Sequence, residues 1–296
     1  MELELASPCK VNLLLNILGK RDDGFHELET VMHPVPLFDR LCFERGGTGV
    51  RLTCDEPSLP VDRSNLVHRA ATAYLAAAGI EEGIAIRLEK RIPMAAGLGG
   101  GSGNAATTLL GLNQLFGHPL AEEHLSALAA GLGSDVPFFL QPHPALAVGR
   151  GERIEPLGSL PALEGVFIFL IHPGFGISTA WAYQSLARFP EALNGRPGRA
   201  CELIADLETG ELALASGRFY NSLEAPALEK YPLLACYQQF LRSHGAAATL
   251  MSGSGSTTFA LVQGKGAAED LRARFRSEFG AACWTAVVRL TSPGGS

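Results

Sequence analysis

Pro93-Met94-Ala95-Ala96-Gly97-Leu98-Gly99-Gly100-Gly101-Ser102-Gly103-Asn104-Ala105-Ala106-Thr107 is the stretch on which the fold turns. Before it, Ile84, Ile86 and Leu88 alternate with Ala85, Arg87 and Glu89, the period of a strand. After it, Ala105 to Phe116 reads as a helix, with Leu109, Leu112 and Phe116 on one face. Glycines between a strand and a helix let the backbone take positive φ and let a ligand approach closely. The first N–H groups of a helix have no internal partner, and the helix dipole favours negative charge there. Phosphate oxygens meet both conditions. Ser102, Asn104 and Thr107 add side-chain donors, and a Ser or Thr oxygen also suits Mg²⁺. The stretch therefore predicts a phosphate cradle.

Other glycine motifs fit less well. Gly-Lys-Ser/Thr is missing, which excludes the P-loop of the common NTPases. Gly101 to Ala106 matches the dinucleotide pattern with a terminal Ala. The acidic residue expected on a strand about twenty residues later falls instead at Glu122 and Glu123, in a helical stretch. The stretch contains no Gly-x-Ser-x-Gly, so it is no hydrolase elbow.

Working outward, Val11, Leu13, Leu15 and Ile17 alternate with Asn12, Leu14 and Asn16 as a strand. A polar turn spans Gly19 to Gly24, and an extended stretch runs from Phe25 to Met32. Leu41-Cys42-Phe43 and Arg51 to Cys54 read as short strands. Helices are expected over Asn65–Ala78, stopping at Gly79, and over Leu120–Leu132, stopping at Gly133. The later pattern predicts strands at Ala145–Val148, Val166–Ile171, Thr257–Val262 and Cys283–Leu290. Helices are expected around Thr179–Arg188, Pro232–Ser243 and Ala267–Phe279. Pro156, Gly158, Pro161 and Gly165 mark a domain boundary, placed at 157/158, so that 1–157 and 158–296 form two domains.

With 47 % hydrophobic and 18 % charged residues, the 296-residue chain has the composition of a folded protein rather than a disordered one. Its net charge of -6 and lack of a long basic run argue against nucleic acid or an anionic membrane as partner. No signal-like start or membrane-spanning run is evident, so a soluble, cytoplasmic protein is expected. The six cysteines form no Cys-x-x-Cys pair, and the histidines form no His-Glu-x-x-His, so no protein-built metal cage is expected.

Phosphoryl transfer also needs a cation at the phosphates and a group that orients the attacking hydroxyl. Lys10, in Ala6-Ser7-Pro8-Cys9-Lys10-Val11-Asn12, and Asp135, in Gly133-Ser134-Asp135-Val136-Pro137, are the candidates. Taken alone, Lys10 is better read as a solvated strand end and Asp135 as a helix cap.

Three segments together resemble the GHMP kinase family. These are Ser7-Pro8-Cys9-Lys10-Val11-Asn12, the loop from Pro93 to Ser102, and Ser252-Gly253-Ser254-Gly255-Ser256. Arg21-Asp22-Asp23-Gly24-Phe25-His26-Glu27-Leu28, Gly133 to Phe139 and His172-Pro173-Gly174 resemble one branch, whose acceptor is a cytidine diphosphate-linked methylerythritol. The resemblance implies an α+β, two-domain GHMP kinase fold. Its N-terminal domain would be ribosomal protein S5 domain 2-like and its C-terminal domain an α/β sandwich. It also implies ATP with Mg²⁺, phosphorylation of the acceptor's 2-hydroxyl, and a place in non-mevalonate isoprenoid synthesis. Asp135 would be the base, and Lys10 would keep it ionised and stabilise charge. Gly97, Leu98, Gly99, Gly100, Gly101, Ser102, Gly103 and Asn104, with Pro93 at the loop's start, would hold the ATP phosphates. Asn65 and Lys90 would lie near the adenine. His26 would read the cytosine edge between Phe25 and Tyr183, with Asn12 and Thr179 also on the acceptor.

Three positions depart from the family pattern: Phe25 for the usual Tyr, Gly103 for a second Ser, and Cys9 for a small Ala. Gly103 removes one possible phosphate or metal contact, which leaves the metal ligands open. The alternatives are a mevalonate, homoserine or sugar kinase, a nucleotide-binding protein without transferase activity, and a nicotinamide oxidoreductase.

Overall fold

The computed structural model describes residues 2–290. In chain order, strands β1 (Glu2–Lys20), β2 (His26–Arg45) and β3 (Val50–Cys54) precede helix α1 (Leu66–Ala78). Strand β4 (Ile84–Glu89) then leads to helices α2 (Gly100–Leu115) and α3 (Glu122–Leu132). Next come β5 (Ala145–Gly149), β6 (Arg153–Pro156), β7 (Val166–His172), α4 (Thr179–Ser185), α5 (Pro190–Leu193), α6 (Arg199–Glu208) and α7 (Leu212–Ala215). The chain ends with β8 (Tyr220–Asn221), α8 (Glu224–Lys230), α9 (Pro232–Ser243), β9 (Ala248–Met251), β10 (Thr258–Gln263), α10 (Lys265–Phe279) and β11 (Trp284–Arg289).

These elements form two compact units. The first comprises residues up to 9, 37–92 and 99–142; the second comprises 10–36, 93–98 and 143 onward. In the first unit, β3 runs parallel to β4, from Val50 opposite Ile84 to Cys54 opposite Leu88. The end of β2 runs antiparallel to β4, with Arg40 opposite Glu89 and Arg45 opposite Ile84. Helices α1, α2 and α3 pack on one another. Gly111 lets α2 sit tightly on the strands, since a Cβ there would come within 2.8 Å of Phe43 and 2.9 Å of Leu5.

The predicted helix α1 is present with both its stops. The Asn65 side chain accepts the Val67 N–H at 2.9 Å, and Gly79 takes the left-handed conformation at φ 64°. Two starts differ from expectation. Helix α2 begins at Gly100 rather than Ala105, so most of the glycine run is helix rather than loop. Glycine is used there for closeness: a Cβ on Gly103 would lie 2.5 Å from the Pro8 carbonyl oxygen. Helix α3 begins at Glu122 rather than Leu120, because the Asn113 amide bonds both the N–H and the carbonyl of Leu120 and holds a turn.

In the second unit, the start of β2 pairs antiparallel with β5, from Leu28 opposite Gly149 to Met32 opposite Ala145. Strand β1 runs parallel to β8 at Leu14–Tyr220 and Leu15–Asn221. A separate antiparallel sheet has the order β11-β7-β10-β9. Phe169, Tyr237, Leu241, Leu271 and Phe275 fill the core between this sheet and helices α9 and α10. Every side chain from Cys9 to Ile17 of β1 is buried, so Lys10, Asn12 and Asn16 sit in a buried strand and need polar partners.

Glu224, at the start of α8, joins three elements. Its carboxylate accepts the Met251 N–H at 2.7 Å and the Gln238 amide at 2.5 Å, with Arg242 as the nearby charge. Burial pushes this carboxyl up from 4.5 to about 7. The folded chain thus resists ionising Glu224. Below pH 4.5 both folded and unfolded chains hold the proton; stability then falls as pH rises towards 7. Glu224→Gln removes this loss. Its stability relative to the unmodified chain should rise by on the order of 3 kcal/mol between acid and neutral pH. Urea unfolding at both pH values measures it, and parallel profiles would reject the buried-acid account.

Candidate active site

The loop before α2 is knitted to two other segments of the second unit. Lys10 N–H donates to the Leu98 carbonyl at 2.9 Å, and Thr257 N–H to the Ala96 carbonyl at 3.1 Å. The Gly97 carbonyl accepts twice, from the Lys10 ammonium at 3.3 Å and the Ser252 hydroxyl at 2.9 Å. This closeness requires glycine. Gly97 has φ +77°, and a Cβ there would lie 2.0 Å from the Ser252 carbonyl oxygen. A Cβ on Gly253 would lie 3.4 Å from both the Lys10 ammonium and the Asn12 side-chain oxygen.

Lys10 is 3 % exposed, and its ammonium donates to the Asn12 oxygen at 2.6 Å. The Asn12 amide donates to Thr30 Oγ1 at 2.8 Å, and that hydroxyl donates to the Leu14 carbonyl. A chain of buried hydrogen bonds thus aims the lysine. The three resembling segments, around Lys10, Gly97 and Ser252, meet in one place.

Asn221 carries no local signal in the sequence. Buried at the end of β8, its amide donates to the Met251 carbonyl at 2.7 Å and the Gly253 carbonyl at 2.8 Å. It therefore fixes the loop that closes on Lys10 and Asn12.

In the first unit, Gly99 takes φ 68° ahead of α2, and the helix opens with Gly100, Gly101 and Ser102. Their N–H groups are the ones a helix start leaves for an anion. Gly101 is exposed, and Gly99 and Ser102 are half-buried. Gly103 and Asn104 are buried, Gly103 against Pro8 and Asn104 through bonds to Ser7 and Asp39. The Lys90 ammonium forms a buried ion pair with Asp39. Both ends of the Asn65 side chain are used, one on Val67 N–H and the other on the Pro60 carbonyl at 2.7 Å. Asp135 is half-buried in the turn between α3 and the short 3₁₀ helix Pro137–Leu140.

The expected acceptor residues lie in the second unit. The His26 and Tyr183 rings sit 5.0 Å apart, tilted by 41°. Burial, helped by the Lys20 charge, pushes the His26 imidazole below its usual 6.5. A neutral ring presents one donor and one acceptor. Phe25 is 52 % exposed, with the Arg150 guanidinium 4.8 Å over its ring. Thr179 is exposed, and its hydroxyl shares a 2.8 Å hydrogen bond with Ser254. Among the described residues no group of three or more His, Cys, Asp or Glu is placed to hold a metal. No helix there is long and apolar enough to cross a membrane.

The chain matches two family models, the GHMP kinases N terminal domain over residues 65–142 and the GHMP kinases C terminal over 203–281. The 4-diphosphocytidyl-2-C-methyl-D-erythritol kinase of Syntrophotalea carbinolica is 41 % identical, across 93 % of this chain and 95 % of that protein. Its namesake in Geobacter sp. strain M21 is 40 % identical, across 94 % and 96 %. A crystal structure of 4-(cytidine 5'-diphospho)-2C-methyl-D-erythritol kinase superposes with TM-score 0.78 at 37 % identity, covering 97 % of this chain and 99 % of that one. Homoserine kinase from Cytophaga hutchinsonii shares the fold, with TM-score 0.75 at 22 % identity over 98 % of this chain and 95 % of that one.

Glycine at position 97 is testable against a neutral control. Gly97→Ala forces a left-handed alanine, roughly 1–2 kcal/mol of strain, before the clash with Ser252 is added. Gly131→Ala, in α3 with nothing within 4 Å of the added carbon, should instead gain up to about 1 kcal/mol. Urea unfolding of both variants separates them; equal effects would discount the close approach.

Proposed function

We propose, on the premise that this chain belongs to the GHMP kinase family, that it transfers phosphoryl from ATP to 4-diphosphocytidyl-2-C-methyl-D-erythritol, a step of isoprenoid precursor synthesis. End-to-end relatives of that name at about 40 % identity support the acceptor. The observation that carries it is the pairing of His26 with Tyr183. A neutral imidazole beside an aromatic ring suits one edge and one face of a pyrimidine base.

In this reading the 2-hydroxyl attacks the terminal phosphorus in line, and Asp135 takes its proton. Lys10, aimed by Asn12 and Gly97, balances the charge that develops on the transferring oxygens. The amides that open α2, with Ser102, hold the ATP phosphates, the reading of Pro93 to Asn104 as a nucleotide segment. Asn65 flanks the adenine end, and Lys90 serves that end through its ion pair with Asp39. Phe25 and Tyr183 stack on the cytosine, and Asn12 and Thr179 help seat the acceptor.

Gly103 carries no side-chain oxygen and its side-chain space is closed by Pro8, which fits Mg²⁺ carried by the nucleotide rather than by a protein cage. Ser102 and the phosphates would hold that ion, which when bound neutralises phosphate charge. The division into an ATP-binding domain, 1–157, and a C-terminal domain, 158–296, and a cytoplasmic location belong to the same proposal. The family-model matches at 65–142 and 203–281 fall on either side of that boundary.

Asp135→Asn should lower turnover by roughly 10²–10⁴-fold while ATP affinity and melting temperature stay unchanged. Full activity in that variant would remove Asp135 from the mechanism. A panel of acceptors with labelled ATP tests the substrate: preference for mevalonate, homoserine or a sugar would overturn the cytidine-linked choice.

The pH profile of the acceptor KM tests His26. Its proton is bound only below 6.5, so KM should be flat above neutrality and rise as pH falls beneath that value. A rise beginning above pH 7 would contradict a neutral reading residue.

A further inference from the structure

Asp39 lies in β2 with no exposed surface. A carboxylate so buried needs several donors, and it has four. One oxygen, Oδ1, accepts the N–H groups of Arg91 at 2.7 Å and Ile92 at 2.9 Å, just after β4. The other, Oδ2, accepts the Asn104 amide at 2.9 Å and the Lys90 ammonium. Asn104 belongs to the opening turns of α2; its amide also reaches Ser7 Oγ at 3.0 Å, and its oxygen accepts from Lys90 at 3.3 Å. A Cβ on Gly100 would meet Ile92 at 3.1 Å and the Lys90 ammonium at 3.4 Å, so the first turn of α2 rests on this network.

We propose that Asp39 is a positioning residue for the nucleotide: it staples the chain on both sides of residues 93–98, and Lys90 and Asn104 act through it rather than by touching ATP. The inference rests on the kinase reading above. One carboxylate fixes where the loop starts and where α2 begins. With both ends held, the loop samples fewer shapes, and its amides are set for phosphate before the ligand arrives. The Lys90 side chain is 8 % exposed and its charge is already met by Asp39. Direct service to a nucleotide would require breaking that pair.

Asp39→Asn keeps an oxygen for the two backbone N–H groups but turns an amide NH₂ towards Lys90. It should raise KM for ATP by about tenfold or more and leave the acceptor KM within about twofold, because only pre-organisation of the nucleotide loop is lost. The double variant Asp39→Asn/Lys90→Gln replaces the ion pair by two neutral amides and should bring the ATP KM back to within about threefold of the unmodified chain. Direct titration with a fluorescent ATP analogue, without acceptor, reads the same effect independently of which acceptor is right.

If Asp39→Asn lowers only the melting temperature, with ATP KM unchanged, Asp39 is a fold residue and the proposal fails. A double variant that folds but stays tenfold weak for ATP would mean that Lys90 touches the nucleotide, and would also overturn it; this comparison stands even where Asp39→Asn alone does not fold. An unmodified chain that binds the analogue but phosphorylates no acceptor sinks the kinase reading, while weaker analogue binding by Asp39→Asn would still support the staple. No analogue binding by the unmodified chain overturns both.

Discussion

A missing side chain sets the geometry around Lys10. Gly97 lies so close to Ser252 that even a methyl group would overlap its carbonyl. That closeness lets one carbonyl, of Gly97, accept from both the Ser252 hydroxyl and the Lys10 ammonium. It also brings Gly253 against Lys10 and Asn12, where Asn221 holds it by its carbonyl. Three distant stretches of sequence thereby converge, and each contributes backbone groups that no side-chain substitution can replace. Such a network fixes position well because every member is over-determined by its neighbours.

Buried cations show the same economy in two forms. Lys90 is matched by the carboxylate of Asp39 within its own unit, which suits a residue that holds structure. Lys10 is oriented by the neutral oxygens of Asn12 and Gly97. The family resemblance implies different places for the two lysines, Lys10 beside the reacting group and Lys90 near the adenine.

Local signals in the sequence were faithful where the physics is local. The α1 cap at Asn65 and stop at Gly79, the period of β4, and the bounds of α9 all follow from nearest neighbours. The glycine run suggests a loop because glycine admits positive φ, yet helix α2 already starts at Gly100, and at Gly103 only a hydrogen fits against Pro8. The sequence suggests two separate stretches, Phe25 to Met32 and Leu41 to Phe43, where one strand, β2, runs through Pro34 and Pro36, which lie between the residues paired with β5 and those paired with β4. Helix α8 was missed because Pro226 falls in its first turn, where a helix tolerates proline. Asp39 and Asn221 carried no signal, because what they bond to lies far along the chain. In the site, the residue types were legible from motif likeness, whereas the division into groups that face a ligand and groups that serve the fold was not.

That division bears on how one frame serves several acceptors. The same fold superposes on a homoserine kinase at 22 % identity, so the frame alone cannot choose a substrate. The parts that hold the frame are glycines, backbone carbonyls and buried pairs such as Asp39 with Lys90, and they are indifferent to what the acceptor is. Among the aromatic groups proposed for the acceptor, Phe25 is exposed, while His26 and Tyr183 are half-buried and Tyr183 also packs against the core of the second unit. Phe25 shows the consequence: where a tyrosine is usual, its exposed ring keeps an aromatic face, covered by Arg150, and gives up only a hydroxyl. An exposed ring of that kind tolerates such a change more readily than a buried one. At Gly97 the same freedom does not exist, and for that reason the glycine run is the feature most plainly written in the sequence.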